Sequence, residues 1–203
     1  MNKFMVGIVI ALIVGGIAGY SLRGDTSTQK PKSSESSMEN TETSQDPKEE
    51  KIKNALSAAP ESVAKDATVL DWPEKEEAEM ATLQKGTNDW TCLPDYPGSP
   101  GNDPICVDAQ AMQWFEAYMT KKEPQLAQAG LGYMLQGGSD ASNTDPFAEK
   151  PADGEDWVSA PPHLMVFPTG KLDQNVYGTD DKSGKPWIMW AGTPYEHLMI
   201  PVK

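Results

Sequence analysis

The sequence PHLMVFP at residues 162–168 is echoed by EHLMIPV at residues 196–202, and these two stretches decide the kind of fold. In each, a histidine is followed by apolar residues that include Val or Ile, and a proline closes the run, which is typical of a short strand. Histidine and methionine stand two residues apart, so on a strand both side chains point to the same face. We therefore expect strands over residues 163–167 and 197–202, each with a His–Met pair on one face.

Local patterns predict the remaining elements. Short apolar or β-branched runs indicate strands at residues 68–72, 80–84, 90–93, 130–136 and 187–190. The segment KGTND has the Gly and Asn of a hairpin turn, which favours pairing of 80–84 with 90–93. A short helix is expected within 54–65 and a longer one over 107–122, with Asp108 as its N-cap. The predicted fold is α+β: an antiparallel or mixed sheet covered by one main helix, with long irregular loops.

The first residues, MNKFMVGIVIALIVGGIAGYSLR, form a membrane-entry signal. The uncharged run of residues 4–22 would reach about 28 Å as a helix, close to the roughly 30 Å hydrocarbon core of a bilayer. We interpret residues 1–23 as an N-terminal hydrophobic helix that acts as an uncleaved signal-anchor. A cleaved signal peptide is the alternative, with Gly16 and Ala18 as the small residues before the cleavage site. In either case the domain is exported to the cell envelope and is periplasmic or otherwise extracytoplasmic, and in the first case residues 4–22 anchor it to the inner membrane.

Composition divides the rest of the chain into two parts. Residues 24–53 are polar and contain no aromatic residue, so we expect a disordered linker that acts as a tether. Residues 54–203 are long enough for a single globular domain with one core. Charges within residues 1–53 cancel, so the net charge of −13 lies on this domain. An acidic domain repels phosphate backbones, which excludes nucleic acid as a partner but leaves cationic partners and metal ions possible.

The chain has two cysteines, Cys92 and Cys106, on either side of a loop rich in Pro and Gly. In an exported protein such a pair is most simply a disulfide. We expect this bond to join the start of the main helix to the strand that carries Cys92. Its role would be stability, since the spacing is not that of a C-x-x-C redox motif.

The two His–Met pairs suggest a metal site. If the strands pair, His163, Met165, His197 and Met199 would gather two imidazoles and two thioethers, a soft ligand set suited to copper, particularly Cu(I). The alternative is ordinary sheet packing with hydrogen-bonded histidines. A histidine-dependent enzyme is a further alternative, in which His163 or His197 would act with a carboxylate. The spacing of residues in the sequence does not indicate which carboxylate that would be, so we assign no catalytic residue. Copper is the one cofactor that we consider.

Aromatic residues offer a second candidate surface. The chain contains six tryptophans, and Trp187, Trp190 and Tyr195 lie close together in sequence. Such rings often line ligand or partner surfaces, although core and loop packing explains most of them.

Several longer stretches also carry a resemblance. They are GTNDWTCLPDYPGSPGNDPICVD, GYMLQGG with SNTDPF, and PHLMVFP with WIMWAGTPYEHLMIPV. From about Asn54 onward the chain resembles an uncharacterised group of exported bacterial single-domain proteins. The resemblance implies bacterial export and a shared architecture, and it brings no activity. We therefore expect a noncatalytic, membrane-tethered module that binds an envelope ligand or protein partner, with copper binding and histidine-dependent catalysis as the alternatives.

Overall fold

The computed structural model describes residues 46–73, 75 and 79–202. The strands are β1 Thr68–Asp71, β2 Ala81–Gln84, β3 Trp90–Leu93, β4 Ile105–Asp108, β5 Gly130–Met134, β6 Gly138–Asp140, β7 Val158–Ala160, β8 His163–Phe167, β9 Trp187–Met189 and β10 His197–Pro201. The helices are α1 Pro47–Leu56, α2 Glu61–Ala64, α3 Ala109–Met119 and α4 Gln174–Tyr177.

Eight strands form one mixed sheet in the order β2-β1-β3-β4-β5-β8-β10-β9, and β6 pairs with β7 in a separate small sheet. β1 and β3 run parallel, while the other neighbours are antiparallel. The α+β class with a mixed sheet is therefore confirmed. One detail differs from the prediction: α1 packs on one face and α3 on the other, so two helices of similar length cover the sheet.

The strands predicted at 163–167 and 197–202 are β8 and β10, and they are antiparallel neighbours. On β8 the side chains of His163, Met165 and Phe167 are buried, and the two residues between them are only partly buried. This alternation places the His–Met face of the strand towards the core beneath α3.

Helix α3 begins directly after β4. Asp108 is its N-cap, as predicted, and the carboxylate accepts a hydrogen bond from the Ala111 N–H at 2.8 Å. The helix begins at Ala109 rather than at residue 107, because Val107 is held in β4 by pairing with β3 and β5. Trp114, which is 2% exposed, extends from the helix into the centre of the core.

The predicted hairpin between β2 and β3 is wrong. β1 lies between these strands, antiparallel to β2 and parallel to β3. The KGTND segment folds over the start of β1, where the Asp66 carbonyl accepts hydrogen bonds from the N–H groups of Thr87 and Asn88 at 2.8 and 3.1 Å. A Cβ at Gly86 would collide with the backbone of Ala67, so this close approach requires glycine. The turn residues correctly indicated a reversal of the chain but did not reveal which strand takes the inner position.

Helix α1 corrects the predicted boundary of the linker. It begins at Pro47, within the segment 24–53 that we expected to be disordered. The Asp46 carboxylate accepts a hydrogen bond from the Lys48 N–H at 3.0 Å and so caps the helix. At the other end Ala55 is fully buried in a second core cluster. Residues 47–53 therefore belong to the folded domain.

The predicted membrane-entry signal of residues 1–23 and the predicted linker up to residue 45 lie outside the described residues. Within the part of the chain that the structure describes, no helix combines the length and the apolar character needed to cross a bilayer.

The predicted disulfide between Cys92 and Cys106 is present. The expectation that it joins a helix to a strand is wrong, because Cys106 lies in β4 directly opposite Cys92 in β3. Both cysteines are fully buried under α1, where they pack with Ala55 and Ala58. The bond thus links two adjacent strands within a core made mostly of small side chains.

Replacing both cysteines by alanine should lower the free energy of unfolding by about 3 kcal/mol, because the bond closes a loop of roughly 15 residues in the unfolded chain. Urea denaturation measures this change. Reduced wild-type protein is the matched control, since it lacks the bond but keeps both side chains. Equal urea midpoints for reduced and oxidised wild type would refute a stabilising role.

Candidate functional site

The four predicted metal ligands share one face of β8 and β10, but they do not converge. Met165 and Met199 are directly opposite each other, whereas His163 is opposite Pro201. The register places His197 four residues along β8 from His163, a separation of about 13 Å at about 3.3 Å per residue. The register alone does not bring both imidazoles to one point, and the site that holds both imidazoles and both thioethers stays a prediction. The two histidines occupy opposite ends of the face, with the methionine pair between them.

The imidazole of His197 is enclosed by aromatic rings. Its centroid lies 5.0 Å from that of Trp190 and 5.4 Å from those of Trp114 and Phe167. The Nδ1 atom lies 3.0 Å from the Tyr195 carbonyl oxygen and donates a hydrogen bond to it. Burial lowers the pKa of His197 to about 4, so the ring is neutral at pH 7. His197 is an integral part of the aromatic core.

The imidazole of His163 has a different environment. Its Nδ1 atom lies 2.7 Å from the Pro161 carbonyl oxygen, which can only accept a hydrogen bond, so Nδ1 carries the proton. Burial lowers the pKa of His163, and the ring is neutral with a lone pair on Nε2. Among the described residues, this Nε2 is the one fully buried side-chain nitrogen or oxygen without a hydrogen-bond partner.

Met134 is the cross-strand neighbour of His163, and sequence reasoning missed it. It lies in β5 directly opposite His163, on the same face of the sheet. A Cβ on Gly138 would stand 2.8 Å from the Met134 methyl carbon, 3.5 Å from Met134 Sδ and 3.7 Å from His163 Cε1, so both side chains border this glycine. Local spacing could not reveal the contact, because it depends on the pairing of β5 with β8.

Asp103 is a second buried polar group, a carboxylate in the loop before β4. Asp103 is 5% exposed and accepts hydrogen bonds from the hydroxyls of Ser99 and Ser139 and from the Ser139 N–H, the last at 2.8 Å. Its negative charge acts on the His163 ring. In the described part of the chain no basic side chain forms a salt bridge with it. Asp140 lies close by, and burial together with the charge of Asp103 raises the pKa of Asp140 to about 6.

Trp187, Trp190 and Tyr195 do not form the predicted ligand surface. They are 1%, 6% and 5% exposed and belong to the main core. The Trp190 indole N–H donates a hydrogen bond to the Ser142 carbonyl at 2.8 Å, and the Trp187 indole N–H donates one to Asn143 Oδ1 at 3.2 Å. The tryptophans therefore hold the loop after β6 against the sheet, as the packing alternative predicted.

A surface groove between β3 and α3 has a volume of about 420 Å³. Carboxylates of Asp89 and Glu116 contribute its charge, and none of its lining residues is basic. The other lining residues are Thr68, Asn88, Trp90, Thr91, Ala109, Met112 and Gln113. Such a lining favours a cationic ligand.

Neither histidine has the surroundings of a general acid or base. No carboxylate of the described residues lies within hydrogen-bonding distance of either imidazole, and both pKa values are lowered. Histidine, cysteine and carboxylate side chains in the described ranges also do not gather in threes around a point that would hold a metal ion.

Comparison of the chain with protein-family models, with curated proteins and with solved structures gave no match. The protein is thus described by its own structure, as an α+β domain with a disulfide across adjacent strands. It also has an acidic groove and a buried histidine paired across strands with a methionine.

The buried histidines should make the protein less stable in mild acid. The unfolded chain binds a proton at His197 with a pKa near 6.5, whereas the native ring does so only at about pH 4. The free energy of unfolding should therefore fall as the pH is lowered from 6.5 to 4, by up to about 3 kcal/mol for this residue. His163, whose pKa is also lowered, acts in the same direction. Urea denaturation across this range measures the loss.

Asp140 has the opposite effect on stability: its protonation in the native state stabilises the protein as the pH is lowered. Its pKa is raised from 3.8 to about 6, so the native state keeps a proton that the unfolded chain has released, and stability decreases as the pH rises through this range. The Asp140→Asn variant should therefore lose stability on acidification more steeply than wild type. The exposed Asp153→Asn variant is the control and should follow wild type. An unchanged slope in Asp140→Asn would contradict the assignment.

Proposed function

We propose that the protein is a noncatalytic binding domain of the bacterial cell envelope, exported across the cytoplasmic membrane and held there by residues 4–22. The disulfide between Cys92 and Cys106 supports an oxidising compartment, because cytosolic proteins seldom keep such bonds. The apolar run of residues 4–22 supports membrane insertion. The burial of both histidines supports a binding role, since these are the side chains best suited to acid–base catalysis near neutral pH.

The acidic groove between β3 and α3 is the observation that carries this proposal. Its volume of about 420 Å³ is within the range of small-ligand sites. Asp89 and Glu116 are both exposed, so their carboxylates are available to a ligand without prior rearrangement. Trp90 and Met112 contribute apolar side-chain surface to the same lining. An organic cation with a short apolar chain, such as an alkyl polyamine, matches these features.

Binding to the groove can be measured with spermidine as the probe and the full-length chain in detergent. The double variant Asp89→Asn, Glu116→Gln should weaken spermidine binding by about tenfold, or about 1.4 kcal/mol, which is reasonable for two exposed charge pairs. Isothermal titration calorimetry gives the affinity. Amide NMR shifts should be largest at residues 88–91 and 112–116.

The matched control is Asp153→Asn, Glu155→Gln, which removes the same charge from an exposed turn. This control should bind spermidine as wild type does. If both double variants weaken binding equally, spermidine responds only to net charge and the groove is not its site. The absence of any spermidine binding would refute the cationic ligand.

A further inference from the structure

His163 Nε2 carries a lone pair that has no hydrogen-bond partner among the described residues. A buried polar atom without a partner costs free energy, and nearly all such atoms in native proteins are paired. Here the ring is fixed by its hydrogen bond to the Pro161 carbonyl, so Nε2 cannot turn towards another donor. A neutral imidazole held in one tautomer by a backbone carbonyl is the usual arrangement of a metal-ligating histidine.

Met134 is the cross-strand neighbour of His163 and carries its thioether on the same face of the sheet. Met134 Sδ and His163 Cε1, the ring carbon bonded to Nε2, lie 3.5 and 3.7 Å from the same point above Gly138. The Met134 methyl carbon stands closest to this point, at 2.8 Å, so the end of the methionine side chain occupies the space that the glycine leaves open. His163 is 0% exposed, whereas Met134 is only partly buried. Met134 therefore lies nearer to solvent than the imidazole does.

Asp103 supplies a buried negative charge near the same ring. Its oxygens accept hydrogen bonds from hydroxyl and amide groups, and no basic side chain among the described residues forms a salt bridge with it. A buried anion without a cationic partner stabilises a cation that binds nearby. The imidazole and the thioether are both neutral, so neither of them balances the charge of a bound cation.

We propose that His163 Nε2 and Met134 Sδ form a site for one soft monovalent cation, Cu(I), with Asp103 balancing its charge. Imidazole and thioether donors select Cu(I) over harder ions, and this closed-shell ion accepts low coordination numbers. Met165, two residues along β8 on the same face, is flexible enough to add a second thioether. The described residues contain no free cysteine to compete for the ion. His197 and Met199 are outside this site.

Silver nitrate tests the site without redox chemistry, because Ag(I) shares the ligand preferences of Cu(I). The oxidised full-length chain in detergent, with ¹⁵N-labelled histidine and ¹³C-labelled methionine methyl groups, is titrated with Ag(I). The His163 Nε2 and Met134 methyl signals should shift together and saturate at one equivalent. His197 and Met199 signals should stay in place.

Matched variants locate the sulfur ligand. Met134→Leu keeps the side-chain volume but removes the thioether, and it should weaken Cu(I) binding by at least about tenfold, since loss of even an outer-shell partner costs about 10- to 100-fold. Competition with a chromogenic Cu(I) chelator measures this affinity. Met199→Leu is the control on the same sheet face and should bind as wild type does.

Three results would overturn the proposal: no shift of His163 Nε2 with Ag(I), shifts confined to His197 and Met199, or equal Cu(I) affinity for Met134→Leu and wild type. The NMR titration uses wild-type protein, so a folding defect in a variant would not affect it. Spermidine binding at the groove is measured separately, so either proposal can fail alone.

Discussion

The antiparallel register of β5, β8 and β10 determines which side chains share the interior of this domain. It aligns Met134 with His163 and Met165 with Met199. A shift of one residue would turn every one of these side chains to the other face of the sheet, since side chains alternate along a strand. The core beneath α3, the aromatic enclosure of His197 and the unpartnered nitrogen of His163 all depend on this register.

The sequence predicted short-range features well. The boundaries of β8 and the N-cap at Asp108 follow from β-branched residues and from a carboxylate before a helical run. The disulfide followed from cysteine count and the expectation of export. In each case the physical cause lies within a few residues or in the composition of the chain.

Features that depend on pairing between distant segments could not be predicted. The insertion of β1 between β2 and β3 leaves no trace in the turn residues around Gly86. The start of α1 was missed because its composition is polar, and its stability depends on burying Ala55 against the disulfide. Met134 was overlooked as a neighbour of His163 for the same reason: its strand is separated from β8 by β6, β7 and the loop between them.

The exposure of the aromatic residues also required the structure. Trp187, Trp190 and Tyr195 follow each other closely in sequence, and a ring has the same composition whether it lines a surface or a core. In this domain Trp114 occupies the centre of the ring cluster and contacts residues from β8, β10 and the loop between β9 and β10. With these rings buried, the polar groove beside α3 becomes the better candidate for a ligand surface.

The contrast between the two histidines is the strongest argument that one of them has a further role. Both are followed by Leu and Met, both donate Nδ1–H to a carbonyl two residues earlier, and both are kept neutral by burial. His197 is enclosed by Trp114, Phe167 and Trp190, so aromatic packing accounts for its place in the core. His163 has Met134 as its cross-strand neighbour and feels the charge of the buried Asp103 carboxylate, and its second nitrogen is unpaired. Packing alone would favour an apolar side chain at that position, because it would avoid the cost of the unpaired nitrogen. The proposed soft cation would pair with this nitrogen and would offset the charge of Asp103, which packing does not.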